Sequence, residues 1–252
     1  MTSRKPMSLR LKPTAKPPRT AMVMAAGIGK RMRPLTATRP KPLVEVAGKA
    51  LLDHCLEKIS QAGVEHVVVN VHYLADALEA HVKRHSHGLK VSISDERRQL
   101  LETGGGLVHA EPLIDCDPFL CINSDNLWVD GPVGAISLLA ERWKDAEMDM
   151  LLLLVPQARA NNNVSRGDFH MDGLGRLIRR KPHRVAPFVY TGLQMMSKRA
   201  LIDPPEGAFS TNIFWDRAIA NGRCFGVVHQ GLWFDVGTPA AIPVTEAIMA
   251  DV

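Results

Sequence analysis

The chain has 252 residues, 31 Lys and Arg against 26 Asp and Glu, a formal net charge of +5, and 46% hydrophobic residues. This composition suits one globular domain and excludes a disordered chain, while a longest apolar run of six residues, Met150 to Val155, excludes a membrane-spanning helix. The positive surplus sits in residues 1–20, with six Lys and Arg, four prolines and no acid, which predicts a disordered basic leader, a near-neutral domain over 21–252, and no nucleic-acid or membrane partner.

Ala21 to Ala26 is a small apolar run ending in glycine, as a first buried strand requires. Leu51, Leu52, Cys55, Leu56 and Ile59 recur at helical spacing and predict a helix over about 49–62, stopped by Gly63. A second buried strand follows at 67–71, then a helix carrying Leu74, Leu78 and Val82, then strands at 91–93, 119–122 and 148–155. This alternation predicts a parallel sheet with helices on both faces. Beyond residue 155 the pattern changes to strands at 168–171, 176–180 and 187–195 joined by short turns, closed by helices at about 211–220 and 239–250. The four cysteines form no close pair, which points to free thiols and a reducing cytoplasm. His81, His85 and His87 lie beside Lys83 and Arg84 with no carboxylate or thiol that would complete a site, so they read as a solvated helix end rather than a metal site.

The loop after the first strand, Ala25-Ala26-Gly27-Ile28-Gly29-Lys30-Arg31-Met32-Arg33-Pro34-Leu35-Thr36, carries the chemistry. Glycines at the end of a buried strand let backbone N–H groups approach phosphate oxygens. Met32 stands where a dinucleotide fingerprint needs its third glycine, and Met24 where a P-loop needs its first. Three cations within four residues suit a polyphosphate. Lys41 follows between Pro40 and Pro42, whose restricted backbones would aim it.

From Ala25 to Leu51 the sequence resembles the opening signature of the sugar-phosphate nucleotidylyltransferases, with Ala50 where that family usually has proline. The resemblance continues at Asn123-Ser124-Asp125, with Ser124 in place of the usual glycine, and at Trp233-Phe234-Asp235-Val236-Gly237-Thr238-Pro239. It implies a Rossmann-like α/β fold with a mostly parallel mixed sheet, a nucleotide-binding half over 21–155 and a sugar-binding half over 156–252. It also implies a cytoplasmic, Mg²⁺-dependent enzyme that joins a nucleoside triphosphate to a sugar 1-phosphate and releases pyrophosphate. Ala26, Gly27, Gly29 and Lys30 would cradle the nucleotide, Arg31 would neutralise its phosphates, and Lys41 would hold a phosphate at the reacting centre. Asp125 and Asp235 would bind the metal, since two carboxylates completed by phosphate oxygens suit Mg²⁺.

Leu101-Glu102-Thr103-Gly104-Gly105-Gly106 sits where the family reads the base. Thr103, Gly104 and Gly105 would close on the ring, and Glu102 or Glu96 would accept hydrogen bonds from base or ribose. This form, and the total length, resemble the short N-acetylmuramate 1-phosphate uridylyltransferases of cell-wall recycling, which favours UTP. Mannose-1-phosphate guanylyltransferase chemistry and a catalytically silent nucleotide-sugar binder are the alternatives. Asn123, Arg180, Lys181, Tyr190, Thr191 and Gly192 map to the sugar-phosphate side, with Arg180 facing an anionic sugar. Asn161 to Asn163 and Arg166 form a polar loop suited to covering the sugar, whose position the sequence does not give, and assembly into a homo-oligomer is left open.

Overall fold

Each buried strand of the domain feeds two apolar layers, one on either side of a central sheet. The computed structural model describes residues 15–251. The first half contains β1 (Thr20–Met24), a short hairpin of β2 (Glu45–Val46) and β3 (Lys49–Ala50), α1 (Leu51–Gln61), β4 (His66–Val71), α2 (Ala75–Arg84), β5 (Lys90–Asp95), α3 (Glu102–Ala110), β6 (Phe119–Asn123), β7 (Asn126–Val129), α4 (Ala135–Arg142) and β8 (Met150–Pro156). The second half adds β9 (Ala160–Asn161), β10 (Phe169–Met171), β11 (Leu177–Arg179), β12 (Phe188–Met196), α5 (Asn212–Ala220), β13 (Cys224–Val228), β14 (Leu232–Asp235) and α6 (Ala241–Ala250).

The period-2 alternation of strands sorts the core. Ala21, Val23, Val67, Val69, Leu120, Ile122, Leu151 and Leu153 pack with the apolar stripes of α1, α2 and α4. Met22, Val68, Phe119, Cys121, Leu152 and Leu154 pack on the other face with Leu107 of α3 and Phe214 of α5. Helices therefore cover both faces, as expected. The sheet runs β11-β10-β12-β6-β1-β4-β5, with β8 pairing β12 and β13 pairing β8. β4, β1 and β6 are parallel neighbours, as are β4 and β5, while β12 runs antiparallel between β6 and β8. β7, β14 and β9 form a separate small sheet.

Three details differ from expectation. The boundary at residue 20 falls inside the domain: Thr20 is buried at the start of β1, and the Arg19 carbonyl accepts from Glu65 and His66 N–H. The rest of the predicted leader, residues 1–14, lies outside the described residues. The histidine group does have a carboxylate partner, because α1 brings Asp53 to within 2.8 Å of His81 Nε2 and 3.8 Å of His87 Nε2. Among the described residues, however, no group of three or more His, Cys, Asp or Glu side chains could hold a metal ion. Finally, Tyr190–Gly192 breaks the regular strand expected over 187–195. It lies at an irregularity within β12, where the register against β8 shifts between Tyr190 and Gln194.

No described helix is long and apolar enough to cross a membrane. All four cysteines are free, and Cys55, Cys121 and Cys224 are buried.

Candidate active site

The carboxyl ends of β1, β4 and β6 open into a cavity of about 440 Å³, lined by Met24 to Gly27, Lys41, Asn70, Leu100, Glu102, Thr103, Asn123 to Asp125 and Ser210. This is the place where parallel α/β sheets present ligands. A second cavity of about 210 Å³ adjoins it and is lined by Arg31, Asn123, Asp125, Asn126, Asn163, Ser165, Asp168, Val189 to Gly192 and Trp233 to Val236. Asn123 and Asp125 belong to both. They end β6 and start the turn into β7, so one strand terminus forms the shared wall.

The glycine loop is held from below and left open above. Ala25 N–H donates to Asn70 Oδ1 at 2.6 Å, and Asn70 Nδ2 donates to Glu96 Oε1 at 2.7 Å. Glu96 Oε2 then accepts from Leu101 N–H at 3.1 Å. This buried chain ties the end of β1 to the segment before α3. It also corrects the expectation for Glu96, whose oxygens are engaged inside the protein and not offered to a base or ribose. Gly27 is exposed, and a Cβ there would meet nothing within 4 Å.

Gly29 differs. Its φ of +68° lies in the left-handed region, and a Cβ would approach Lys41 Cβ at 2.9 Å and Thr36 Cγ2 at 3.1 Å. Gly29 thus lets the loop fold onto the stem of Lys41 rather than lining the cavity. Thr36 Oγ1 and Met32 N–H both donate to the Gly29 carbonyl, at 2.8 and 2.9 Å. Lys30 is exposed and lines neither cavity.

Lys41 opens a short 3₁₀ turn (Lys41–Leu43) between two buried prolines, and its ammonium pairs with Asp125 Oδ2 across the shared wall. Asp235 ends β14 opposite Asn126 of β7, next to Asp125 in the chain. Its Oδ2 accepts from Asn163 Nδ2 at 3.1 Å. Arg31 lines the second cavity beside it: a Cβ on Gly237 would lie 2.9 Å from Asp235 Oδ1 and 3.1 Å from Arg31 Nη1. The Oδ1 atoms of Asp125 and Asp235 have no hydrogen-bond partner among the described residues. Two half-engaged carboxylates on one cavity fit a Mg²⁺ ion whose remaining ligands are phosphate oxygens and water. Ser124 does not disturb this turn; it is buried, its φ is not left-handed, and its N–H donates to the Met24 carbonyl at 3.0 Å.

A family model described as nucleotidyl transferase matches residues 20–250. The chain belongs to the nucleotidyl transferase family. It is 43% identical over 237 residues to N-acetylmuramate alpha-1-phosphate uridylyltransferase of Caulobacter vibrioides, covering 93% of this chain and 98% of that protein. The enzyme of the same name from Neisseria meningitidis serogroup B is 31% identical over 242 residues, covering 90% and 97%. Among solved structures, the inositol-1-phosphate CTP transferase from T. maritima has a TM-score of 0.75 at 18% identity, covering 94% of this chain and 96% of that one, which speaks for the fold alone. The resemblance carried by the three motifs and the expected α/β architecture are both borne out.

Several of this transferase's expected ligand contacts are framework instead. Gly104 and Gly105 are buried and both donate backbone N–H to the Phe209 carbonyl, at 2.7 and 3.2 Å. A Cβ at Gly104 would strike the Phe209 ring at 2.5 Å, and one at Gly105 would strike the Gly207 carbonyl at 2.5 Å. These glycines close α3 onto the segment leading to α5, leaving Glu102 and Thr103 at the cavity. Glu102 has a φ of +58°, a conformation costly for a side-chain residue. Thr103 Oγ1 accepts from Thr211 N–H at 2.9 Å.

Arg180 donates to the carbonyls of Gly167 and Arg184, at 2.8 and 3.2 Å, and neither it nor Lys181 lines either cavity. Thr191 lines the second cavity, but its hydroxyl donates to the Leu153 carbonyl at 2.9 Å. Gly192, with φ of +90°, lets β12 pass close to Asn123. Asn70, Asn126, Ser165 and Asp168 line the cavities in addition to the expected site residues, and Asn163, from the polar loop, joins them. Asn70 did leave a sequence signal, as the one polar residue inside Val67 to Val71.

Proposed function

We propose that this nucleotidyl transferase uses Mg²⁺ to transfer a uridylyl group from UTP to N-acetylmuramate 1-phosphate, giving UDP-N-acetylmuramate and pyrophosphate. The observation that carries the reading is the pair of cavities meeting at Asn123 and Asp125. One has room for a nucleotide and an open glycine backbone, the other is polar and adjoins it, and the carboxylates and cations cluster between them. The α-phosphate belongs at that junction.

A phosphate oxygen of the sugar 1-phosphate attacks the α-phosphorus as the bond to the β-phosphate oxygen breaks, and pyrophosphate leaves with that electron pair. The nucleophile is already anionic, so the protein's work is positioning and charge neutralisation. Asp125 and Asp235 would hold the metal, which supplies Lewis acidity at the α-phosphate. Lys41 turns from Asp125 to a phosphate oxygen, and Arg31 balances the charge of the reacting phosphates. Gly27 and Ala26 present backbone to the triphosphate, while Glu102 and Thr103 face the base or ribose. Tyr190, Gly192 and Asn123 border the sugar phosphate. The names of the two relatives support uridylyl transfer to N-acetylmuramate 1-phosphate, and the resemblance carried by the motifs supports a role for that reaction in cell-wall recycling. Four free cysteines suit action in the reducing cytoplasm.

The test is pyrophosphate release with Mg²⁺ for UTP, GTP, CTP, ATP and dTTP crossed with the 1-phosphates of N-acetylmuramate, N-acetylglucosamine, glucose and mannose. Release confined to UTP with N-acetylmuramate 1-phosphate is the expected result. Release with GTP and mannose 1-phosphate instead would keep the chemistry and overturn the substrate assignment.

A further inference from the structure

The second cavity contains a carboxylate that the proposed reaction does not use. It is lined by three acids, Asp125, Asp168 and Asp235, against one guanidinium, Arg31. Two of the acids are accounted for by the metal. A third, in a site for an anionic substrate, works against binding unless it accepts a hydrogen bond from that substrate.

The chain fixes Asp168 with several contacts. Its backbone is bonded on both sides, N–H to the Phe188 carbonyl at 2.7 Å and carbonyl from Arg180 N–H at 2.9 Å. Its Oδ2 accepts from Tyr190 N–H at 2.9 Å, at the irregularity of β12 that lines the same cavity. Only glycine fits just before it. Gly167 has φ of +75°, and a Cβ there would lie 2.0 Å from the Ala186 carbonyl oxygen. The Gly167 carbonyl in turn accepts from Arg180 Nε at 2.8 Å. Arg180, just after β11, thus braces the turn that leads into β10, and Asp168 is the carboxylate this turn presents. Asp168 Oδ1 has no hydrogen-bond partner among the described residues.

A second unmatched group borders this cavity. The Trp233 indole N–H donates to Asn126 Oδ1 at 2.8 Å, which fixes the orientation of that amide. Asn126 Nδ2 is buried and has no hydrogen-bond partner among the described residues. Buried polar groups are rarely left so.

We propose that Asp168 is a specificity-determining residue for the sugar, its Oδ1 accepting a hydrogen bond from an O–H or N–H donor on the sugar ring. This rests on the transferase reading above and adds to it the residue that inspects the sugar. Arg180 and Gly167 are positioning residues for that carboxylate. A site built around such a bond rejects a sugar lacking the donor far more strongly than an apolar pocket rejects a missing methylene.

The test compares the full chain with Asp168→Ala and Asp168→Asn. Calorimetric titration with UDP and with UDP-N-acetylmuramate separates the two cavities, and KM for each substrate follows the same division. In Asp168→Ala, UDP affinity should change less than about twofold, while affinity for UDP-N-acetylmuramate should fall about 10- to 100-fold. Asp168→Asn, which keeps an acceptor oxygen, should lie between. A panel of deoxy and deacetylated sugar 1-phosphates should then contain one analogue that penalises the wild type and not Asp168→Ala. Unchanged nucleotide-sugar affinity, an equal loss for UDP, or variants penalised by every analogue as the wild type is, would each overturn the proposal. A wild-type chain that releases pyrophosphate with no sugar 1-phosphate would overturn the transferase reading itself.

Discussion

The two cavities that meet at Asp125 are built by different means. The larger one is made mostly of strand ends and loops from the first half of the chain, with Gly27 as its open glycine, Ser210 joining from the second half, and Asn70 and Glu96 as braces. The smaller one is made of side chains carried by separate places along the chain: the loop after β1, the end of β6 and start of β7, the loop after β9, the irregularity in β12, and β14. A phosphate chain is the same in every nucleotide, so a fixed backbone cradle serves it. A sugar is defined by which hydroxyls and amides it carries, and reading those takes side chains placed individually.

The largest effect should come from the carboxylates, and they also divide the two regions. Asp125 belongs to both cavities and Asp235 to the smaller alone. Asp125→Asn and Asp235→Asn should each lower turnover by at least about 10²- to 10³-fold with the fold intact, the scale of losing one electrostatic contact to the transition state. Pyrophosphate release measured alongside circular dichroism checks this. Near-normal Mg²⁺-dependent turnover in either variant removes that residue from the metal site.

An intermediate effect separates the two glycines of the loop. Gly29→Ala meets both a left-handed backbone and the Lys41 stem, and should cost about 1–3 kcal/mol in denaturant unfolding. Gly27→Ala enters open space and should change stability by less than about 0.5 kcal/mol. It should nonetheless raise KM for the nucleotide, because the added methyl stands where the triphosphate approaches. The opposite pattern would mean that Gly29, not Gly27, faces the ligand.

The smallest effect concerns the wall between the cavities. Cys121 lies in β6 two residues before Asn123, and burial pushes its thiol up to about 12; burial acts on Cys224 in the same direction, also to about 12. The reactive thiolate is therefore scarce near neutral pH. Iodoacetamide at pH 7.5 should leave turnover unchanged. Progressive inactivation with mass added at Cys121 would show that β6, and with it the shared wall, opens during the working life of the enzyme.

The difference between the regions also explains what could be read in advance. The alternation of strands and helices in the first half and the two-sided core follow from contiguous patterns, such as Val67 to Val71, whose periodicity is local, whereas β13 and β14 lie outside every expected element. The expectations that the structure overturns concern residues whose partners are distant in sequence. Gly104 and Gly105 have the composition of a ligand loop, but Phe209 occupies the space beside them. Arg180 has the charge of an anion site and is spent on the Gly167 and Arg184 carbonyls. Asp53, from α1, supplies a carboxylate to histidines that seemed to have none.

The three asparagines show the limit most plainly. Asn161, Asn162 and Asn163 are chemically identical and adjacent, yet their amides reach the Trp233 carbonyl, Thr245 Oγ1 and Asp235 Oδ2 respectively. By itself the sequence determined the architecture and the family, because these depend on patterns within a strand, a helix or a single loop. Only the tertiary structure decided which polar groups are consumed inside the protein and which, like Asp168 Oδ1, remain for a substrate. A side chain's hydrogen-bonding capacity is fixed by its chemistry, but whether any of it is left over depends on neighbours that the fold brings from far along the chain.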